Sequence, residues 1–210
     1  MATYVITGAN RGLGLALIQQ FMKSSTSEVG KIFAISRSAP SGEFKALVDA
    51  NSDRIIPITA AVNDTEAVQN AAKEVETKLG GQGLDVLVNN AGVGPWHPEG
   101  VKSVTAEDLA KVFDVNVAGP QRMTVAFLPL LEKGNLKKVI NVSTALASLA
   151  WADRWPMVPT SAYKISKTAL NMLNKHWAMD FADKGFTFLV LSPGVSIRGD
   201  VFEDLIADEL

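Results

Sequence analysis

The chain has 210 residues, 47% hydrophobic and 20% charged, a globular composition that excludes intrinsic disorder and, at roughly 150 residues per domain, reads as one domain over residues 1–210. Its 20 basic and 22 acidic residues leave a formal charge of −2, too little positive field to hold a nucleic-acid backbone. With no Cys and two His, His97 and His176, disulfides and thiolate sites are excluded and no metal centre is expected. No apolar run approaches the length of a membrane span, and MATYVITGANRG has no leader-like pattern, so a soluble cytoplasmic protein is expected, with no membrane partner.

In chain order, Thr3–Thr7 reads as a buried strand and Gly12–Lys23 as the helix after it, with Leu13, Leu17, Ile18 and Phe21 near helical spacing. Lys31–Ser36 is a second strand, 43–50 a short helix and Arg54–Thr59 a third strand. Asp64 caps a helix running to Leu79, which Gly80–Gly83 ends. Leu84–Val88 is strand four. Thr105 with Asp108 reads as a capping box, opening helix over 106–113 and again over 117–132, ended by Gly134. Lys137–Val142 is strand five, Ser161–Asp183 a long helix closed by Gly185, and Phe186–Leu191 strand six. Strands apolar throughout imply a sheet covered on both faces. Their alternation with helices predicts a doubly wound parallel sheet, Rossmann-like, in three α/β/α layers.

The strand-to-helix turn carries Gly8, Gly12 and Gly14. Such glycines let a backbone turn sharply and approach a pyrophosphate, which the following helix N-terminus attracts. An NAD site would place an acid at the end of strand two. This chain has Arg37 there and Arg11 inside the turn, a pair suited to clamp the 2′-phosphate of NADP; the alternative is two solvated arginines. Tyr163 and Lys167 stand i and i+4 on one helix, where the ammonium is expected to pull the phenol below its ordinary value of about 10 and make it a general acid or base. Alternatively the two are a chance surface pair. Asn89, Asn90, Ala91 and Gly92 follow strand four: asparagines to tie strands together, Ala-Gly to leave room for a flat cofactor, or else a plain turn. Ser143 and Thr144 end strand five, where a hydroxyl can hold a carbonyl oxygen. Asn116 sits mid-helix, locally unfavourable and so a candidate to hold water near Lys167. Pro193 and Gly194 form a turn at the crevice rim.

Taken together, TGANRGLG (7–14), NNAG (89–92), Asn116, the Ser143/Thr144 strand end, YKISK (163–167) and PG (193–194) resemble the short-chain dehydrogenase/reductase family over roughly residues 2–195. FDVNVAGP and the long gap from Ser143 to Tyr163 are similar to its carbonyl-reductase branch, with C-factor-like, sniffer-like and norsolorinic-acid-ketoreductase-like members. The resemblance implies NADPH-dependent reduction of a carbonyl. Tyr163 would be acid/base, Lys167 would bind ribose and tune Tyr163, and Asn116 would hold a relay water. Ser143 or Thr144 would be the hydroxyl donor. Cofactor contacts are expected from Gly8, Asn10, Arg11, Gly12, Leu13, Gly14, Arg37, Val62, Asn89, Ala91, Gly92, Tyr163, Lys167, Pro193 and Gly194, and a homodimer or larger homo-oligomer through helices 117–132 and 161–183.

Three departures qualify that expectation. Ala61-Val62 stands where the family has Asp-Val, so the adenine contact of that Asp is lost. Arg198 stands where a Thr commonly follows the PG turn. The chain ends at Leu210, so the usual C-terminal strand and substrate-covering helices are expected to be lacking and strand six to be a bare edge. These departures also motivate a second reading, a catalytically idle NADP-binding regulatory or scaffold protein. Trp151, Trp155, Met157 and Val158, with Trp96 and His97, could wall a pocket for a hydrophobic or aromatic ketone or aldehyde. His97 itself reads as a loop residue rather than a catalyst.

Overall fold

The computed structural model describes residues 1–194; the expectations that fall on Arg198 and the remaining C-terminal segment lie outside the described residues. Strands β1 (Ala2–Thr7), β2 (Val29–Ser36), β3 (Ile55–Thr59), β4 (Val86–Asn89), β5 (Lys138–Val142) and β6 (Thr187–Leu191) form one parallel sheet in the order β3-β2-β1-β4-β5-β6. Between them run α1 (Gly12–Met22), α2 (Gly42–Ala50), α3 (Thr65–Leu79), α4 (Ala106–Phe113), α5 (Gly119–Lys133) and α6 (Ser161–Asp180). This is the doubly wound, Rossmann-like α/β arrangement, and the order reverses between β1 and β4, where such sheets open a crevice at their carboxyl edge.

The strands are apolar on both sides because both sides are packed. On one face Val5, Phe33, Ile35, Leu87 and Val139 meet Val68 and Val75 of α3 and Met123, Phe127 and Leu131 of α5. On the other, Ile6, Ile32, Ala34 and Val88 meet Leu15 and Ile18 of α1 and Phe44 and Val48 of α2. At about 25 cal/mol per Å² of apolar surface, these two slabs supply the main driving force for folding. The caps match the sequence chemistry. Asp64 accepts from Ala67 N at 3.0 Å at the start of α3, Gly80 ends that helix at φ 59°, and Thr105 with Asp108 forms a complete capping box on α4.

Several boundaries move for visible reasons. β4 starts at Val86, not Leu84, because Leu84 N bonds to Leu130 O at 2.9 Å and the Asp85 carboxylate receives Thr3 N and Asn135 N, each at 2.9 Å. The helix expected over 117–132 begins at Gly119, after a π-helical turn over Asp114–Ala118. The long last helix stops at Asp180, and a separate 3-10 turn, Ala182–Lys184, leads to Gly185 at φ 73°. Among the described residues β6 pairs with β5 alone, and Leu189 and Leu191 are each 46% exposed.

Candidate active site

The turn after β1 and the segment after β4 are built as one unit. Thr7 Oγ1 accepts from Asn90 N and from Ala91 N, both at 3.0 Å, while Asn90 Nδ2 donates to Thr7 O at 2.8 Å. Gly8 takes φ 69°, and a Cβ there would stand 2.9 Å from Asn90 Nδ2 and 3.0 Å from Ala91 Cα. Gly14 is buried, and a Cβ on it would collide with the Gly8 carbonyl, so its absence lets α1 press onto the turn. Arg11, the N-cap of α1, has extended backbone and makes no side-chain cap bond. The first N–H groups of α1 therefore have no cap to satisfy them, and the positive end of the helix dipole lies at the cleft.

That cleft has a volume of about 360 Å³ at the sheet's switch point. Of the residues expected to contact a cofactor, Gly8, Asn10, Arg11, Gly12, Leu13, Arg37, Val62, Ala91 and Gly92 line it, and no Asp or Glu does among the described residues. Arg11 and Arg37 are exposed, and neither joins an ion pair among the described residues. Gly14 and Asn89 do not line the cleft. Asn89, as the last residue of β4, turns to the α6 side. Its Nδ2 donates to Asn141 Oδ1 at 2.9 Å, and Asn141 Nδ2 donates to Asn174 Oδ1 at 2.9 Å. It is a buried tie between β4, β5 and α6, and its neighbour Asn90 takes the place in the cleft. Asn63, Ser36, Val93 and Val115 also line it; all but Val115 stand at or just past strand ends, the signal by which they could have been found. Pro193 and Gly194 follow β6 and are exposed, with Gly194 at φ 81°.

Beyond the inner end of the cleft lie Tyr163 and Lys167, one helical turn apart on α6. A Cβ on Gly92 would stand 3.6 Å from Lys167 Nζ and 3.3 Å from Asn116 Oδ1, so this glycine leaves the passage open between them. A Cβ on Gly94 would stand 3.2 Å from Tyr163 Cδ2 and 3.3 Å from Cγ, so the backbone there packs against the base of the ring. Lys167 is 3% exposed, donates to Val142 O at 2.7 Å and sits 5.8 Å from the Tyr163 ring centroid. Burial lowers its pKa to about 8. Burial likewise pushes the Tyr163 phenol up from its ordinary value. This reverses the direction expected from sequence. The lysine is itself desolvated and bonded to a carbonyl, and its charge does not outweigh the cost of placing a phenolate out of water.

Asn116, fully buried in the π turn, spends its whole amide on the protein. Oδ1 accepts from Val93 N at 2.9 Å, and Nδ2 donates to Val93 O at 2.8 Å and Ser166 Oγ at 2.9 Å. Ser166 Oγ in turn donates to Tyr163 O at 2.8 Å. The side chain thus locks the segment after β4 to the turn of α6 that carries Tyr163. The two hydroxyls at the end of β5 also part ways. Ser143 Oγ donates to Asn171 Oδ1 at 2.7 Å, toward α6. Thr144 Oγ1 accepts from Leu146 N at 3.2 Å, which leaves its O–H free to donate. The sequence offers no signal that gives Ser166, Asn171 or Gly94 a role; long-range packing of α6 on the end of β5, on the π turn and on the loop after β4 brings them here. Nearby, Trp96, Trp151 and Met157 are close to half exposed, and Arg154 lies over the Trp151 ring at 4.7 Å.

A glycine turn on the first strand, an uncapped helix start, and a Tyr/Lys pair on α6 with its lysine buried thus stand together at the carboxyl edge of the sheet. The family model for short chain dehydrogenase matches residues 2–209. The chain belongs to that family. It is 33% identical over 207 residues to the short-chain dehydrogenase/reductase AacuF of Aspergillus aculeatus, covering 95% of this chain and 76% of that one. It is 31% identical over 202 residues to atnB of Arthrinium, with coverages of 92% and 74%. Among solved structures it is similar to the NADPH-bound carbonyl reductase from chicken fatty liver, with TM-score 0.83, 28% identity, and 92% and 79% of the two chains covered. Similarity to the carbonyl reductase Sniffer of D. melanogaster gives TM-score 0.82, 26% identity, and 92% and 81% covered.

Proposed function

We propose that this chain is an NADPH-dependent carbonyl reductase, acting on a bulky hydrophobic or aromatic ketone or aldehyde. The observation that carries the reading is the Tyr163/Lys167 pair on α6, its lysine buried and its tyrosine half-buried, beside a cleft walled by glycines and by two arginines that are exposed and, among the described residues, join no ion pair. The residues present fit a dinucleotide. Gly8 leaves space a Cβ would fill, α1 offers unclaimed N–H groups to a pyrophosphate, and Arg11 and Arg37 suit a 2′-phosphate that an acid would repel. Bound NADPH supplies the hydride.

The protein's own part is proton handling and orientation. Because burial keeps the Tyr163 phenol protonated, it is ready to donate to the oxygen of a carbonyl as that oxygen gains charge. Of the two strand-end hydroxyls, Thr144 is the one with a proton to offer that oxygen, since Ser143 is committed to Asn171. Lys167, fixed on Val142 O, is poised to donate to a ribose hydroxyl and to return a proton toward Tyr163. Asn116 holds the wall in place through Val93 and Ser166, and its main chain is the station for a relay water. The half-exposed Trp96, Trp151 and Met157 suit a flat apolar substrate. Val125 on α5 and Ile165, Met172 and Met179 on α6 are exposed apolar side chains that support pairing with a second copy, which light scattering would test.

The deciding experiment follows NADPH consumption with a panel of aromatic ketones, diketones and quinones, for wild type and Tyr163→Phe. Turnover is expected in the wild type and a loss of about a hundredfold or more in the variant, with NADPH fluorescence titration unchanged. Equal rates would refute the role of Tyr163. Cofactor binding with no turnover by either protein would favour the idle, NADP-binding reading.

A further inference from the structure

Between β4 and α4 runs a loop held at two points, Val93 and His97. Asn116 fixes Val93 at its start through both main-chain groups, 2.9 and 2.8 Å. Midway along it stands His97, to which the reductase reading gives no catalytic role. Its imidazole is 7% exposed. Its main-chain N–H donates to Pro159 O at 2.7 Å, immediately before the start of α6, and its main-chain O receives Gly100 N at 2.9 Å. Nε2 lies 3.7 Å from Asp108 Oδ2, the same carboxylate oxygen that accepts from Thr105 in the capping box of α4. Between these two anchors sits Gly94, with its backbone against the Tyr163 ring.

We infer that His97 is a positioning residue for Tyr163. Its buried imidazole, directed at Asp108 of α4, sets how the loop sits on α4, while its main-chain N–H holds Pro159 just before α6; together they keep the Gly94 backbone against the Tyr163 ring. An ordinary loop histidine would be solvated. This one is buried, and its Nδ1 and the Thr160 Oγ1 beside Pro159 find no protein hydrogen-bond partner among the described residues. Burying polar atoms without such partners costs stability, which a solvated loop histidine would avoid. The tautomer with its proton on Nε2 answers the Asp108 carboxylate and leaves Nδ1 as an unused acceptor, the less costly way to bury the ring. Released at this end, the loop would swing from the ring, water would reach the phenol, and the carbonyl would lose one wall of its site.

The inference rests on the proposed role of Tyr163, and its test has a readout independent of turnover. The sequence has two tyrosines, so in a Tyr4→Phe background phenolate absorbance reports Tyr163 alone. His97→Gln places an amide where Nε2 lies; His97→Asn reaches only the position of Nδ1. In the cofactor-free protein, H97N is expected to bring the Tyr163 midpoint down toward the ordinary 10, while H97Q titrates like its parent. For carbonyl reduction, H97N should lower kcat about tenfold or more with NADPH affinity unchanged, and H97Q should restore most of it. A Tyr163 midpoint in H97N equal to that of the parent overturns the inference, as does an H97Q protein as perturbed as H97N. A parent protein that reduces no carbonyl would instead count against the reductase reading, and the phenol titration would still decide the role of His97.

Discussion

At the scale of single residues, the cleft is charged on one side only. Arg37 follows the end of β2, Arg11 stands in the glycine turn, and no acid among the described residues lines the space between them. Arg37→Asp removes one guanidinium and puts a carboxylate where a 2′-phosphate would sit. Losing a hydrogen bond to a charged group costs about 1.5–3 kcal/mol, so NADPH affinity should fall roughly tenfold to a hundredfold while NADH affinity holds or improves. Fluorescence titration with both cofactors checks this, and an unaltered ratio would remove the phosphate clamp from the reading. Such residues were legible because their chemistry depends on spacing within one turn. Asn89 and Asn90 were not separable in the same way. Which of two adjacent side chains faces the cleft depends on where β4 ends, and pairing continues to Asn89↔Asn141, turning Asn89 to α6. Ser143 and Thr144 pose the same problem: their difference appears only once Asn171 is seen opposite Ser143.

At the scale of elements, the π turn over Asp114–Ala118 is the piece a periodicity argument misses, because it widens one turn inside an otherwise helical pattern. In the sequence it shows only as a break between helix over 106–113 and helix over 117–132, and as an Asn in a helical stretch. The structure explains both. Arg122 donates to Asp114 O at 3.1 Å and pairs with its carboxylate at 2.6 Å, supporting the irregular backbone from the next helix. Asn116 is thereby held at full burial, between the loop after β4 and α6. Asn116→Asp is nearly isosteric but turns the donor to Val93 O and Ser166 Oγ into an acceptor and buries a charge. Its expected cost is about 3 kcal/mol or more, read as a lower urea midpoint. A midpoint equal to wild type would mean the amide is not the link between the two elements. The helix caps were readable beforehand, since Asp64, Thr105 and Gly80 act within one turn of themselves.

At the scale of the molecule, apolar strands alternating with helices were enough to imply a parallel, doubly covered sheet, because only that architecture hides both faces of such strands. What alternation cannot carry is the long-range packing that sinks an ammonium into the sheet's carboxyl edge, and that packing has a consequence for the whole fold. Lys167 has its pKa lowered from 10.5 to about 8 by burial. Between those two values the unfolded chain binds a proton the folded chain does not, so stability must rise with pH across that window. Below about pH 8 the folded state bears the full cost of a buried charge. The Tyr163 phenol acts in the opposite sense: raised above 10, it makes the folded state the tighter proton binder at higher pH, so its contribution falls there. Lys164, also lowered by burial, adds to the rise in the same sense below 10.5, so the Lys167 effect is the part of the climb between about pH 8 and pH 10 that its own substitution removes. Urea denaturation of the cofactor-free protein should show stability climbing through that interval, and Lys167→Met, which keeps the buried stem without the charge, should flatten the climb. An equal slope in the two proteins would mean that Lys167 keeps its ordinary affinity for protons in the fold, and with it the contact with water that the structure denies it.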